Sequence, residues 1–287
     1  TCHKAEHGFA DNTKLSIGSK PAARHTPTLL GVAHAKWFYW DGRRDSLWSQ
    51  ALTPLETVGE MDNNRTDVVR YIADHPTYAA AITELAPEES SFFNQLADYR
   101  RFPAGASPFG AGKLQWHRMS QEDKALVNRA YATIGKVIAS YEATLAHSPS
   151  RFDRWAQELS GSPDARTEQE APLATASAHQ PLTAEQKAGL HLFLDLPKTQ
   201  CLRCHNGTLF TNQGFHNVAT SDATETEGST KRRAHDFGRM LGLQAVIVDP
   251  FNCSGEFSDA PESGCDHLRF ARRQNLGETI DGAFKVP

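Results

Sequence analysis

Long apolar runs are missing from this sequence. The longest in its 287 residues, such as Trp37 to Trp40 and Ala245 to Val248, fall far below the ~20 residues needed to cross a bilayer, so no membrane span is expected. A basic surplus is missing as well. Lys plus Arg number 30 against 34 Asp plus Glu, a formal charge of −4 without long runs of one sign, which excludes the electrostatic footprint of a nucleic-acid binder. Convincing strand alternation is absent apart from the short run at Ala245 to Val248, so helices must carry the architecture. The chain opens on Thr1, with no charged-then-apolar leader in view, and a targeting segment is expected to have been removed or to lie outside it. What remains is a soluble, globular composition, 39% hydrophobic, of a length that suggests two domains.

Cysteine is scarce, and the five present are informative. Cys201-Leu202-Arg203-Cys204-His205 is a complete C-x-x-C-H, which reads as c-type haem attachment. Two thiols one helical turn apart can form thioethers to the two vinyl groups of one haem, while the adjacent imidazole ligates the iron. A zinc half-site would need a second ligand pair nearby and a dithiol redox site a βαβ context, and neither is visible. Cys2-His3 is the end of the same motif, cut by the chain start. The residues after it, Gly8-Phe9-Ala10-Asp11, follow the layout of Gly207-Thr208-Leu209-Phe210-Thr211 after the second motif. Two haems are therefore expected, with His3 and His205 as iron ligands. Cys253 and Cys265 remain. In the oxidising compartment that thioether attachment requires they form most simply a disulfide, the competing reading being a reduced, redox-active pair.

Three helices can be placed. Ser120-Gln121-Glu122-Asp123 is a capping box followed by Leu126, Val127, Ala130, Ile134, Val137 and Ile138 at helical spacing, which predicts one helix over 121–146. Thr183-Ala184-Glu185-Gln186 opens a second, through about Leu194, and a weaker one runs from Thr66 to Ala73. Between them, 160–181 is rich in Ser, Thr, Ala, Pro and acids and reads as a linker. The expected fold is mostly α: a haem domain over 1–159, the linker over 160–181 and a second haem domain over 182–287, each built around one covalently bound haem.

Residues 24 to 61 hold Arg24-His25-Thr26-Pro27-Thr28-Leu29, then Trp37-Phe38-Tyr39-Trp40-Asp41-Gly42-Arg43, then Gln50 and Glu60. This segment resembles the bacterial di-haem cytochrome c peroxidase family, including its MauG-type branch. That pattern runs R-N-x-P-T-L, F-W-D-G-R, a Gln ten residues after the Trp and an E-M ten further on; Trp40, Gln50 and Glu60 stand at those spacings. In the C-terminal half, Leu190 to Phe193, the C-x-x-C-H, Leu209-Phe210-Thr211 and Phe215-His216-Asn217 resemble MauG-like sequences, and Gly282 to Pro287 the start of F-K-x-P-T-L-R-N.

The resemblance implies a peroxidatic haem on Cys2 and His3, and an electron-entry haem on Cys201, Cys204 and His205. It makes Glu60 the acid/base that moves a proton between the peroxide oxygens, Gln50 a hydrogen-bonding partner of the ligand, and Trp40 an aromatic path between haems. Asp41 and Arg43 are expected to form a turn and an ion pair. Ile17 stands where the family's peroxidases carry a distal His, which implies an open distal face. His25 stands where an Asn contributes to a calcium site. Imidazole is a poor ligand for that hard cation, which argues against calcium and makes His25 a hydrogen-bonded interface residue.

The function so implied is reduction of hydrogen peroxide to water with electrons from a small c-type cytochrome or cupredoxin, in the periplasm, a homodimer being one admissible assembly. The rivals are a MauG-type oxidase acting on a partner protein and a non-enzymatic electron-transfer protein.

Overall fold

The computed structural model of the chain describes residues 2–22, 24–96, 98, 100–160, 182–216, 238–260 and 262–268. It is mostly helical, as the sequence implies. Among the described residues, β pairing is confined to the isolated bridges Lys4 with Ala10, Ile17 with Pro21 and Phe38 with Arg44.

The helices are α1 Leu47–Glu56, α2 Arg65–Asp74, α3 Pro76–Leu85, α4 Pro87–Gln95, α5 Lys113–Arg118, α6 Gln121–Glu142, α7 Arg151–Ser160, α8 Ala184–Leu194 and α9 Arg239–Val248. Both expected cap residues cap their helices, the box being reciprocal at Thr183 and one-sided at Ser120. Ser120 accepts the Asp123 N–H at 3.0 Å to start α6, and Thr183 and Gln186 form the reciprocal box that starts α8. Helix α6 stops at Glu142, short of the expected 146, because Leu145 turns its N–H back to the Glu142 carbonyl and its own carbonyl accepts the Gly31 N–H.

Two compact units are formed. The first holds the described residues up to Leu145 together with 238–268; the second holds those from Ala146 to His216. In the first, α6 is the central element. Its Val127, Ala130 and Tyr131 are buried with Leu52 of α1, Val69 of α2, Phe93 of α4 and Phe251. Helices α1 and α6 cross closely at Gly135, where a Cβ would lie 2.5 Å from the Trp48 carbonyl oxygen. Buried Arg65 crosses this core with its charge answered: it donates to Glu56 at 2.7 and 3.2 Å and to Asn128 at 2.8 Å. Helix α1 also contains Pro54, which has no N–H to give the carbonyl of Gln50 one turn earlier.

Two sequence expectations change. Ala245 to Val248, the one strand-like run, is the last turn of α9, whose Leu243 and Val246 are buried on the same face as Gly242. The expected boundary also moves. The 238–268 segment, placed by the sequence in the C-terminal domain, packs with the N-terminal unit, and α7, expected in the N-terminal domain, falls in the second unit. The cause is visible in contacts. Gly242 lies so close to the Asp41 carbonyl that a Cβ would approach it to 2.0 Å, and Arg239 donates to the Gly42 carbonyl at 2.8 Å. The Cys253 N–H is accepted by the buried Asp45 carboxylate at 3.0 Å, and Phe251 enters the core. Cys253 and Cys265 are disulfide-bonded with Cα atoms 5.7 Å apart. Residues 161–181 and the 282–287 segment lie outside the described residues.

The second unit is small. Phe152 of α7 meets Phe210 edge-on at 5.4 Å, and Phe193 of α8 meets the same ring at 6.2 Å.

Candidate functional site

Each haem motif closes on itself in the same way. His205 ends a 3-10 turn begun by Cys201, its N–H bonded to the Cys201 carbonyl at 2.9 Å, and its ring Nδ1 lies 3.1 Å from the Phe210 carbonyl oxygen. In the first unit His3 Nδ1 lies 2.8 Å from the Phe9 carbonyl oxygen. In each, a glycine and then the phenylalanine adopt left-handed backbone: Gly8 at φ 62° and Phe9 at 58°, Gly207 at 71° and Phe210 at 52°. A carbonyl can only accept, so Nδ1 carries the proton in both imidazoles and Nε2 is left as the ligating atom. The layout noticed in the sequence is thus one local device used twice.

The donor set fits haem. Cys2, Cys201 and Cys204 are free thiols, and both histidines are oriented as ligands. Phe193 lies 6.3 Å from the His205 ring, and in the same unit Leu192, Leu194, Leu209 and Phe210 each leave about two-fifths to one-half of their surface open, apolar surface that a large apolar group could cover.

The first unit places Glu60 within electrostatic reach of His3. Glu60 follows α1 in the turn Thr57 to Asp62, where its N–H bonds to the Thr57 carbonyl and its carbonyl accepts the Ser19 N–H at 2.9 Å. Gly18 lets the two segments approach: a Cβ there would lie 2.7 Å from the Glu60 Cα. Asp62 clamps the turn, accepting from the Gly59 N–H at 2.8 Å and from the Ser19 hydroxyl. The Cys2 thiol points to the carbonyl of neighbouring Ile17 at 4.0 Å. Burial pushes the Glu60 carboxyl above its ordinary range, while the charge of Arg43, and of the His3 ring when it is protonated, pulls it back. Glu60 is therefore a proton-accepting group within electrostatic reach of the first haem motif.

Tyr39 is hydrogen-bonded to Gln50 and lies within electrostatic reach of Glu60. The Tyr39 hydroxyl donates to the Gln50 carbonyl at 3.2 Å, and Gln50 Nε2 lies 3.5 Å from the same hydroxyl. The Arg43 guanidinium stacks 3.6 Å from the Tyr39 ring centroid. Burial pushes the phenol up to about 12, opposed by Arg43 and reinforced by Glu60. Tyr39 also carries φ 67°, a conformation costly for a bulky side chain, of order 1–3 kcal/mol. The Phe38 N–H bonded to Arg44 and the Gly42 N–H bonded to the Tyr39 carbonyl hold it there. The only advance signal was position, next to Trp40.

Trp40 itself is 58% exposed, its indole N–H donating to the His25 carbonyl at 2.9 Å; it makes no hydrogen bond to Gln50 or Glu60. Asp41 and Arg43 form the expected ion pair at 3.1 Å. His25 is hydrogen-bonded as expected, its Nδ1 2.6 Å from the Thr13 carbonyl and 3.3 Å from buried Asp11. Burial would raise the Asp11 carboxyl, but hydrogen bonds from Thr13 and Thr26 and the charge of His25 hold it below the usual range. Asp45, Cys253 and His267 also cluster within 4.8 Å, but the Cys253 sulfur is held in the disulfide and offers no thiolate.

Over residues 1–160 the chain matches the family described as di-haem cytochrome c peroxidase. It is 24% identical over 220 residues to the methylamine utilization protein MauG of Methylophilus methylotrophus, covering 76% of this chain and 49% of that protein. It is 27% identical over 217 residues to a cytochrome c551 peroxidase of Pseudomonas aeruginosa, covering 75% and 46%. The chain thus spans about half the length of these curated relatives. The match to the family extends over more than half of the chain and takes in the Tyr39 to Glu60 site, and the chain belongs to the di-haem cytochrome c peroxidase family.

Proposed function

We propose that this protein reduces hydrogen peroxide to water at a haem held by Cys2 and His3, with electrons received through a second haem held by Cys201, Cys204 and His205. The donor is a small soluble carrier, a c-type cytochrome or cupredoxin, and the compartment is the periplasm, where thioether attachment and the Cys253–Cys265 disulfide both form. No helix among the described residues is long and apolar enough to cross a membrane.

The single observation that carries the reading is Glu60, a partly buried carboxyl held by a clamped turn within electrostatic reach of His3. When bound, the haem supplies the iron at which peroxide is reduced; the protein sets ligation, access and proton delivery. Glu60 takes a proton from one peroxide oxygen and returns it to the other. Raised by burial, it holds that proton more readily than an exposed carboxyl would. Gln50 orients the peroxide by hydrogen bonding. Ile17 can supply no ligand to iron, so the substrate side is open without an activation step. Trp40, with its indole fixed by His25, lies on the path for electrons.

The test is an optical and EPR titration of the holoprotein with stoichiometric hydrogen peroxide, followed by turnover on a reduced carrier. High-spin iron that responds to peroxide, with consumption falling 10²- to 10⁴-fold in Glu60→Gln, is the expected result. Two low-spin irons indifferent to peroxide before and after reduction would overturn it in favour of an electron-transfer protein. A response to peroxide without turnover on any reduced carrier would move the reading to a MauG-type oxidase.

A further inference from the structure

Helix α1 has a gap in its hydrogen bonding that Tyr39 fills. Pro54 cannot donate to the Gln50 carbonyl, which would be left unmet in a partly buried setting. The Tyr39 hydroxyl donates to that carbonyl at 3.2 Å. A phenol has one proton, so toward anything else Tyr39 can only accept. The next group along is the Gln50 side-chain amide at 3.5 Å, and only its NH₂ end can meet a lone pair; the opposite orientation would set two acceptors face to face. The amide is thereby fixed, and Gln50 Oε1 remains buried without a hydrogen-bond partner among the described residues. The neighbouring Thr53 hydroxyl also lies within hydrogen-bonding reach of the phenol, but it donates its own proton to the Ser49 carbonyl and so can only accept; whether the phenol's proton goes to the Gln50 carbonyl or to Thr53, the phenol meets the amide as an acceptor. The left-handed backbone at Tyr39 and the guanidinium over its ring hold the hydroxyl in place. A phenylalanine, which stands at this place in the family pattern, would fill the ring site but could neither answer the carbonyl nor orient the amide.

We propose that Tyr39 is a positioning residue: its hydroxyl locks the Gln50 amide so that Oε1, an acceptor, is the group offered to a ligand, which favours ligands that bring a proton, as hydrogen peroxide does, over acceptor-only anions. This rests on the reading of Gln50 as a residue of the ligand side. The test uses fluoride, which can only accept hydrogen bonds, titrated into the ferric holoprotein. In Tyr39→Phe the amide is released to present Nε2, and fluoride affinity rises roughly fivefold, the value of one net hydrogen bond, while peroxide consumption falls by a similar factor. In a Gln50→Leu background the same Tyr39→Phe change leaves fluoride affinity unaltered. Unchanged fluoride affinity in Tyr39→Phe, or an equal gain with and without Gln50, overturns the proposal. Should Tyr39→Phe fail to take up haem, the iron–fluoride stretching frequency of the native protein is compared with that of Gln50→Leu. Identity is expected, since Gln50 offers the ligand no N–H, and a shift refutes it. A native protein that binds fluoride but never consumes peroxide removes the peroxidase reading and leaves this one standing; one that binds no fluoride removes this one.

Discussion

Glu142 is a carboxyl buried without an answer. It closes α6, 6% exposed, and its Oε2 has no hydrogen-bond partner among the described residues. It also sits at the helix C-terminus, where the macrodipole disfavours negative charge. Burial pushes it from an ordinary value of 4.5 to about 7. The native state therefore keeps a proton between pH 4.5 and about 7 that the unfolded chain has lost. The stability associated with the neutral form is fully present below 4.5 and is lost as pH rises through about 7. At 1.36 kcal/mol per tenfold change, the charged form costs about 3 kcal/mol at alkaline pH. Glu142→Gln imitates the neutral acid. It is expected to leave stability nearly unchanged at pH 4 and to raise it by about 3 kcal/mol at pH 8.5, roughly 6 °C or more in the unfolding midpoint of a unit this size. Guanidinium and thermal unfolding of the holoprotein and its variant at the two pH values measure this directly. A gain of equal size at both would show that ionisation of Glu142 contributes nothing, and a loss at pH 8.5 would show a partner for the carboxylate; either would refute the reasoning.

Three further outcomes follow from packing. Gly242→Ala places a methyl group 2.0 Å from the Asp41 carbonyl oxygen, a backbone atom that cannot swing aside, and should lower stability by about 2–3 kcal/mol in denaturant titrations. Arg65→Met strands the Glu56 carboxylate among neutral partners such as the Ser107 and Tyr131 hydroxyls, for an expected loss of about 3–5 kcal/mol, much of which Glu56→Gln in the same chain should restore; additive losses would contradict the ion-pair account. Replacing Cys253 and Cys265 together by Ser should cost about 3 kcal/mol and leave the peroxide response of the first unit in place, which unfolding and spectral titration on one preparation can compare.

The legible parts were those written in local chemistry. Ser120 and Thr183 announced their helices because a capping hydroxyl and its partner lie within three residues of each other. The C-x-x-C-H and its echo at Cys2-His3 were legible for the same reason, down to the paired phenylalanines. Helices α3 and α4 were not foreseen, although Pro76 and Pro87 stand at their first positions, because each buries a single apolar side chain, Ile82 and Phe93, too few to show a period. Helix α1 was hidden by Pro54, which breaks the pattern a helix normally shows. Helix α9 looked like a strand because its last four residues, Ala245 to Val248, are a continuous apolar run with three β-branched side chains. In the site, the spacing of Trp40, Gln50 and Glu60 marked the segment, but Tyr39 and Arg43 gain their roles from folding. Neither stacking nor a hydrogen bond to a carbonyl eleven residues away leaves a trace in composition.

The return of residues 238–268 to the first unit orders the events of biosynthesis. A chain delivered N-terminus first into the compartment where its disulfide forms presents the second unit whole before Phe251 arrives to complete the core that α6 began. The half built first must wait for the half built second, holding its unfinished apolar face while more than ninety residues pass between Leu145 and the start of α9. Closure of the first unit, and of the disulfide beside it, becomes the last act of folding, and a chain truncated before Arg239 would display a nearly complete N-terminal sequence that cannot seal.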